Sequence, residues 1–468
     1  MTFSGNDTTE GTMNREKLLQ AGAGDDTYIV NGLKWANYDM VIDDLSGKND
    51  TLILNNVNEG EAHIAASIKL KTDKKGNVLR DKKGNIQYTV TNNDLSISAD
   101  YTDNGRAKLI IKNYFKNGKI ENIKLGDGTI YDVNARLQEM AKWLANSGFT
   151  SFNEAVNFEE DFTMKYLNGE NVILSNNRAE TICTDESEYV SVRNSKDDVF
   201  TVDLKNGDDE LEIRDRQTGK RAIVNMGTGN KTIFSYVKDI TIDGSNADSL
   251  ISDSYWNESE SKGSFNITGS KGDDIVCIGG NCNATVETGL GNDEIWIDVG
   301  ENDENIMNSN LYGGEGDDNY FVYSLKANIT ITDSEGDDNL ILRDMAKDNI
   351  HFAFNVKADG SFDESHDKLF VLNDEMYAKW CNGEEFDYGL TINDFDSIET
   401  IATGDYDESQ TRNISYKEIA DLNQLRESVA GWLESKGYTD VNTVLKSENE
   451  ADIAALVDVF NNVDWKSA

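Results

Sequence analysis

One turn motif recurs along the chain and limits what the chain can fold into. It reads Gly-x-Gly-x-Asp, with an apolar or aromatic residue two positions after the Asp. The fullest copy is Gly313-Gly314-Glu315-Gly316-Asp317-Asp318-Asn319-Tyr320. Further copies are Ala21-Gly22-Ala23-Gly24-Asp25-Asp26-Thr27-Tyr28, Gly269-Ser270-Lys271-Gly272-Asp273-Asp274-Ile275-Val276, Thr288-Gly289-Leu290-Gly291-Asn292-Asp293-Glu294-Ile295 and Asp333-Ser334-Glu335-Gly336-Asp337-Asp338-Asn339-Leu340. Weaker copies surround Gly207-Asp208-Asp209 and Ser46-Gly47-Lys48-Asn49-Asp50. Glycine supplies positive φ and lets a second backbone approach closely. The apolar residue points inward from a short strand, and one turn alone cannot bury it. Turns must therefore stack, which predicts a mainly β chain built as a parallel β-roll or β-helix.

The stack is not expected to be regular. A strict nonapeptide roll returns to the same face about every 18 residues. Gly272, Gly291, Gly316 and Gly336 are 19, 25 and 20 residues apart. Bulges or loops are expected, with a few metal sites in place of a full ladder and some turns purely structural.

Charge says what such turns need. The chain holds 86 Asp and Glu against 44 Lys and Arg, a formal charge of −42. That surface repels nucleic-acid phosphates and anionic lipid. Two carboxylates about 4 Å apart repel by roughly 4 kcal/mol at a surface-like dielectric. A cation is the economical remedy where they cluster. Ca²⁺ takes six to eight oxygens at about 2.3–2.6 Å, and a glycine turn offers carbonyls beside its Asp. The candidate ligand set is Gly22, Gly24, Asp26, Asp50, Asp209, Gly272, Asp274, Gly289, Gly291, Asp293, Gly314, Gly316, Asp318, Gly336 and Asp338. A neighbouring turn completes each shell, so folding is expected to be cooperative and calcium-driven. Gly227-Thr228-Gly229-Asn230-Lys231 keeps the turn but has Lys where the Asp belongs, and reads as a turn without a metal.

Two other totals fit. Proline is absent, as stacked strands require, because proline cannot donate to the ladder. Aromatic residues still make up 9%, more than a disordered acidic chain would carry. The four cysteines form no CxxC pair; Cys277 and Cys282 read either as free core residues or as a bridge across a turn. No apolar run approaches 18 residues, and the first residues carry neither a basic nor an apolar segment. A membrane helix and an N-terminal cleaved export signal are therefore not expected.

A longer duplication overlies the repeats. Residues 21 to about 162 resemble residues 313 to about 460. Ile120-Glu121-Asn122-Ile123 matches Ile398-Glu399-Thr400-Ile401, and Trp143-Leu144 with Gly148 matches Trp432-Leu433 with Gly437. The expected organisation is a first module over 1–166, a central β region over 167–310 and a second module over 311–468. Each module is expected to end in short helices, with Leu137, Met140, Ala141 and Leu144, and Leu422, Leu425, Val429 and Leu433, at helical spacing. Residues 67–92, with Asp73-Lys74-Lys75-Gly76-Asn77 repeated as Asp81-Lys82-Lys83-Gly84-Asn85, read as a basic hairpin insertion.

These turns resemble the RTX (repeats-in-toxin) haemolysin-type calcium-binding family, whose nonapeptide is Gly-Gly-x-Gly-x-Asp-x-apolar-x. The block Ile120–Asp132, with Leu125-Gly126-Asp127-Gly128-Thr129-Ile130-Tyr131, is similar to the related domain that accompanies such repeats. The second module lacks its Asp-Gly-Thr triplet. The resemblance covers about half of the chain. It implies type 1 secretion, an extracellular or cell-surface setting, folding on calcium outside the cell and an adhesin-like role. The tail 451–468 is where such a family's secretion signal would lie.

Catalytic patterns are lacking. The three histidines, His63, His351 and His366, form no HExxH, and there is no Gly-x-Ser-x-Gly. Residues 355–366 begin like a calcium-binding EF-hand loop, but Lys357 and His366 stand at ligand positions, so a hairpin is expected. The remaining enzymatic reading is a polysaccharide-acting hydrolase or lyase on a β-helix, centred on 167–310. Its signs would be a groove, a carboxylate pair and exposed aromatics such as Tyr255 and Trp256.

Overall fold

Short strands with inward alternating apolar residues have one way to bury them here, and the chain takes it. The computed structural model describes residues 5–44, 47–58, 60–99, 107–116, 120–167, 170–217, 219–256, 261–299, 306–362, 367–406, 414–447 and 449–467. Ser46 and His366, named above, lie outside them. The chain is mainly β, with about 14 turns of parallel β-solenoid and few helices. It forms two compact units, Met1–Asn177 with Glu188–Ser191, and Arg178–Ser187 with Val192–Ala468. No described helix is long and apolar enough to cross a membrane.

In the first unit the strands Thr8–Thr12, Thr27–Asn31, Thr51–Leu54 and Asn122–Leu125 stack in that order, all parallel. Tyr28, Val30, Leu52, Leu54, Ile123 and Leu125 alternate into the core, each at most 2% exposed. A five-stranded sheet that includes Met40–Ile42 and Leu109–Ile111 closes the other side. The insertion is the expected hairpin: Ile68–Leu70 pairs antiparallel with Tyr88–Val90. Asp73 and Asp81 each fold an Asx turn by accepting amides from the residues two and four ahead.

The first unit ends in helices Val133–Asn146, Phe152–Phe158 and Glu160–Leu167. Asp132 caps the first by accepting from the Asn134 and Ala135 amides. Leu137, Met140, Ala141 and Leu144 form its buried face. Glu159, in extended conformation, separates the second helix from the third.

In the second unit two parallel sheets face each other. One carries the strands Asp209–Ile213, Asn230–Ser235, Ser249–Trp256, Ile275–Gly280, Glu294–Val299, Asn319–Val322, Asn339–Arg343 and Thr400–Tyr406 in that order. The other runs from Glu180–Ile182 to Gly389–Ile392. Among the described residues of this unit, antiparallel strands appear only near the end, as in His351–Phe354 against Leu369–Leu372. Helix Leu422–Lys436 buries Leu425, Val429 and Leu433 and stops at Gly437, whose φ of 76° is the left-handed cap. Residues 355–362 form the expected hairpin, bridged at Val356 and Phe362.

Candidate metal centres

The parallel register puts the last Asp of each motif in a column. In the second unit the column reads Asp209, Lys231, Leu250, Asp274, Asp293, Asp318, Asp338, Glu399. In the first it reads Asp7, Asp26, Asp50, Glu121. Along each column the amide of one acidic residue donates to the carboxylate of the next. Asp274 N reaches Asp293 Oδ1, Asp293 N reaches Asp318 Oδ1 and Asp318 N reaches Asp338 Oδ1, each at 2.8 Å; Asp338 N reaches Glu399 Oε2 at 2.7 Å. Asp7 N to Asp26 Oδ1, Asp26 N to Asp50 Oδ1 and Asp50 N to Glu121 Oε2 repeat the series at 2.8, 2.7 and 2.9 Å.

Each amide occupies one carboxylate oxygen and leaves the other. Oδ2 of Asp26, Asp50, Asp293 and Asp318 is buried without a hydrogen-bond partner, and so is Oδ2 of Asp44. Such atoms ordinarily carry a large desolvation penalty.

Two clusters gather three carboxylates each. Asp26, Asp44 and Asp50 present one oxygen apiece, all within 4.8 Å of one another, and Asp318, Asp333 and Asp338 do the same. An ion about 2.4 Å from each oxygen spans that separation, as Ca²⁺ does; Mg²⁺, at about 2.0–2.1 Å, demands a tighter cage. Asp44 and Asp333 lie outside the candidate set read from the motif. Each sits at the end of the strand in the opposite sheet and accepts a hydrogen bond from a core tyrosine, Tyr28 Oη to Asp44 Oδ1 at 2.6 Å and Tyr320 Oη to Asp333 Oδ2 at 2.5 Å. The sign was there to read: a Tyr two residues after the column Asp needs a buried partner for its hydroxyl.

Glycines leave room around these oxygens. A Cβ on Gly313 would overlap Asp318 Oδ2, the Tyr320 hydroxyl and Asp333 Oδ2, and one on Gly47 would overlap Asp50 Oδ2 and the Gly24 carbonyl. Gly22, Gly24, Gly289, Gly291, Gly314, Gly316 and Gly336 have positive φ. Gly272 does not; its lack of a side chain serves the close approach of the Asp248 carbonyl at 2.5 Å from where a Cβ would be.

Burial with like charges nearby raises the carboxyl pKa values. Desolvation dominates throughout, pushing Asp318 up to about 8, Asp293 and Asp338 to about 7 and Asp44 to about 6. Asp50, Asp333 and Asp274 are raised for the same reason.

The other two column residues are satisfied within the chain. Asp274 accepts from the Leu250 amide and from the amide and hydroxyl of Ser270. Asp209 Oδ2 accepts from Lys231 Nζ at 2.5 Å. All four cysteines, Cys277 and Cys282 included, are free thiols. Trp256, read as exposed beside Tyr255, is instead 2% exposed because inward alternation places it in the core; Tyr255 is 38% exposed. Trp296 stacks flat on Phe321 of the next turn at 3.8 Å. No family of known proteins matches the chain, and no curated protein matches it.

Proposed function

We propose that the protein binds Ca²⁺ at the two three-carboxylate clusters and folds its acidic turns around the ion. The observation that carries this reading is the first cluster. The Oδ2 atoms of Asp26, Asp44 and Asp50 are buried without a hydrogen-bond partner, and one carboxylate oxygen from each of the three residues lies within 4.8 Å of the others. Among the described residues, no lysine or arginine pairs with these oxygens. A hard divalent cation satisfies such oxygens. Asp318, Asp333 and Asp338, with Asp293 one turn before, make the second site.

The resemblance to RTX repeats supports the same chemistry and adds a setting: export by a type 1 route, calcium-driven folding outside the cell and a surface or adhesin-type role. The test is a calcium titration of the metal-free chain followed by calorimetry and far-UV circular dichroism. Calcium uptake with a cooperative gain of β signal, reversed by EDTA and not produced by Mg²⁺, is the expected result. A chain that binds no calcium and is equally ordered in EDTA would leave the turns purely structural and overturn the proposal.

A further inference from the structure

Lys231 stands in the column between Asp209 and Leu250, and its ammonium meets a carbonyl and carboxylate pair that recurs along the ladder. Nζ is 2.5 Å from the Gly207 carbonyl oxygen and 2.5 Å from Asp209 Oδ2. Both side chains of the ion pair are 0% exposed. The same glycine carbonyl and column Asp recur at Gly291 with Asp293 and at Gly316 with Asp318. The stacking is also the same. A Cβ on Gly229 would overlap the Gly207 carbonyl, as one on Gly316 would overlap that of Gly291 and one on Gly336 that of Gly316. At Asp293 and Asp318 the second carboxylate oxygen has no partner. At Asp209 the lysine supplies one.

A second observation points the same way. Lys220 and Lys231 are the only lysines buried among the described residues. Lys220 donates to the Ser195 and Asp197 carbonyls of the preceding turn, at 3.3 and 3.1 Å. Two turn corners in this stretch are thus held by side-chain ammonium groups.

We infer that Lys231 is a covalently attached counter-ion standing in for calcium, so that the turns between Val199 and Ser235 hold together in metal-free protein. These turns are then the ordered platform on which the calcium-dependent turns after Asp274 assemble. The inference rests on the calcium reading but makes a separate claim, that the ladder is divided into a metal-free and a metal-requiring part. An ammonium is a compact point charge that cannot be chelated away. Removing free metal leaves the Lys231–Asp209 pair intact while the oxygens of Asp293, Asp318 and Asp338 are left to repel one another.

The experiment is hydrogen exchange on the full chain in EDTA and in excess calcium, with calorimetric stoichiometry of the wild type and of Lys231→Asp. In EDTA, amides of Val199–Asp203, Arg221–Asn225 and Asn230–Ser235 are expected to stay protected at least roughly tenfold over those of Glu294–Val299, Asn319–Val322 and Asn339–Arg343. In excess calcium both groups are expected to be protected. Lys231→Asp should bind one Ca²⁺ more than the wild type. Wild-type protein that binds calcium yet opens both groups together in EDTA would overturn the inference and leave the calcium reading standing. So would a Lys231→Asp variant that folds in calcium without gaining an ion. Wild-type protein that binds no calcium at all would remove both.

Discussion

Tyr320 donates its hydroxyl hydrogen to Asp333 Oδ2 at 2.5 Å, tying the core of one sheet to a carboxylate that closes the opposite one. Tyr28 and Asp44 repeat the arrangement in the first unit. A ligand held by such a partner is fixed in direction before an ion arrives. Tyr320→Phe is expected to weaken calcium binding at its site by about tenfold, and Asp333→Asn by more, toward about 100-fold. Calorimetry of each variant against wild type checks the order; equal affinities would mean the pair is only structural.

Glycine at 313 is predicted to be required for space rather than for backbone freedom. Its φ is not among the positive values, so an alanine meets no backbone strain there. Its Cβ would instead overlap Asp318 Oδ2 and Asp333 Oδ2. Gly313→Ala should therefore lose the second site. Gly76→Ala provides the contrast: φ is +88° and the surroundings are open. It should cost about 1–2 kcal/mol through backbone strain alone and leave calcium stoichiometry unchanged. The readouts are bound calcium per chain and the midpoint of urea unfolding.

Acidity should act oppositely on the two forms. In metal-free protein, burial raises Asp318 to about 8, Asp293 and Asp338 to about 7 and Asp44 to about 6, above the ordinary value of 3.8. A raised folded-state pKa contributes stability that is complete below the unfolded value and is lost as pH climbs through the folded one. Metal-free turns should therefore lose stability between about pH 4 and pH 8. Calcium affinity should rise over the same interval, because the ion displaces those protons. Denaturant midpoints in EDTA and calcium titrations at pH 5.5 and 8 test both signs.

Thiol chemistry offers an independent report. Burial pushes the Cys277 and Cys282 thiols up to about 12, and both lie in strands of the turns beside Asp274 and Asp293. A protonated, enclosed thiol reacts slowly. Alkylation at pH 8 should be slow with calcium and fast in EDTA. A mild reductant should leave stability unchanged, since no disulfide is present.

Much of this architecture is legible in the sequence, because glycine and aspartate punctuation is a local signal. Gly24, Gly316 and Gly336 stand at the turns, and the apolar residues after them fill the interior. Asp44 and Asp333 escape notice for the opposite reason. Asp44 precedes Asp50 by six residues and Asp333 stands where the motif has its first glycine, so neither falls in the expected place. What recruits them is a tyrosine hydroxyl from another strand, a contact that only stacking creates. Acidic neighbours suggest surface for Trp256, whereas inward alternation through Leu250, Ser252, Ser254 and Trp256 decides its side. At Asp274 the motif has Ser270 where the fullest copy has Gly314, and that serine supplies the hydrogen bonds that a cation would replace.

The chain of amide-to-carboxylate bonds has a sense of travel. From Asp274 to Glu399, and from Asp7 to Glu121, every amide faces a carboxylate that lies later in the sequence. The two ends of a cut are therefore not equivalent. Trimming turns from the front strands a carboxylate, which water solvates readily. Trimming from the back strands an amide and removes the glutamate that terminates the series. Each column is a one-way staircase whose lowest step, Glu121 or Glu399, must be in place before the step above it has anything to rest on.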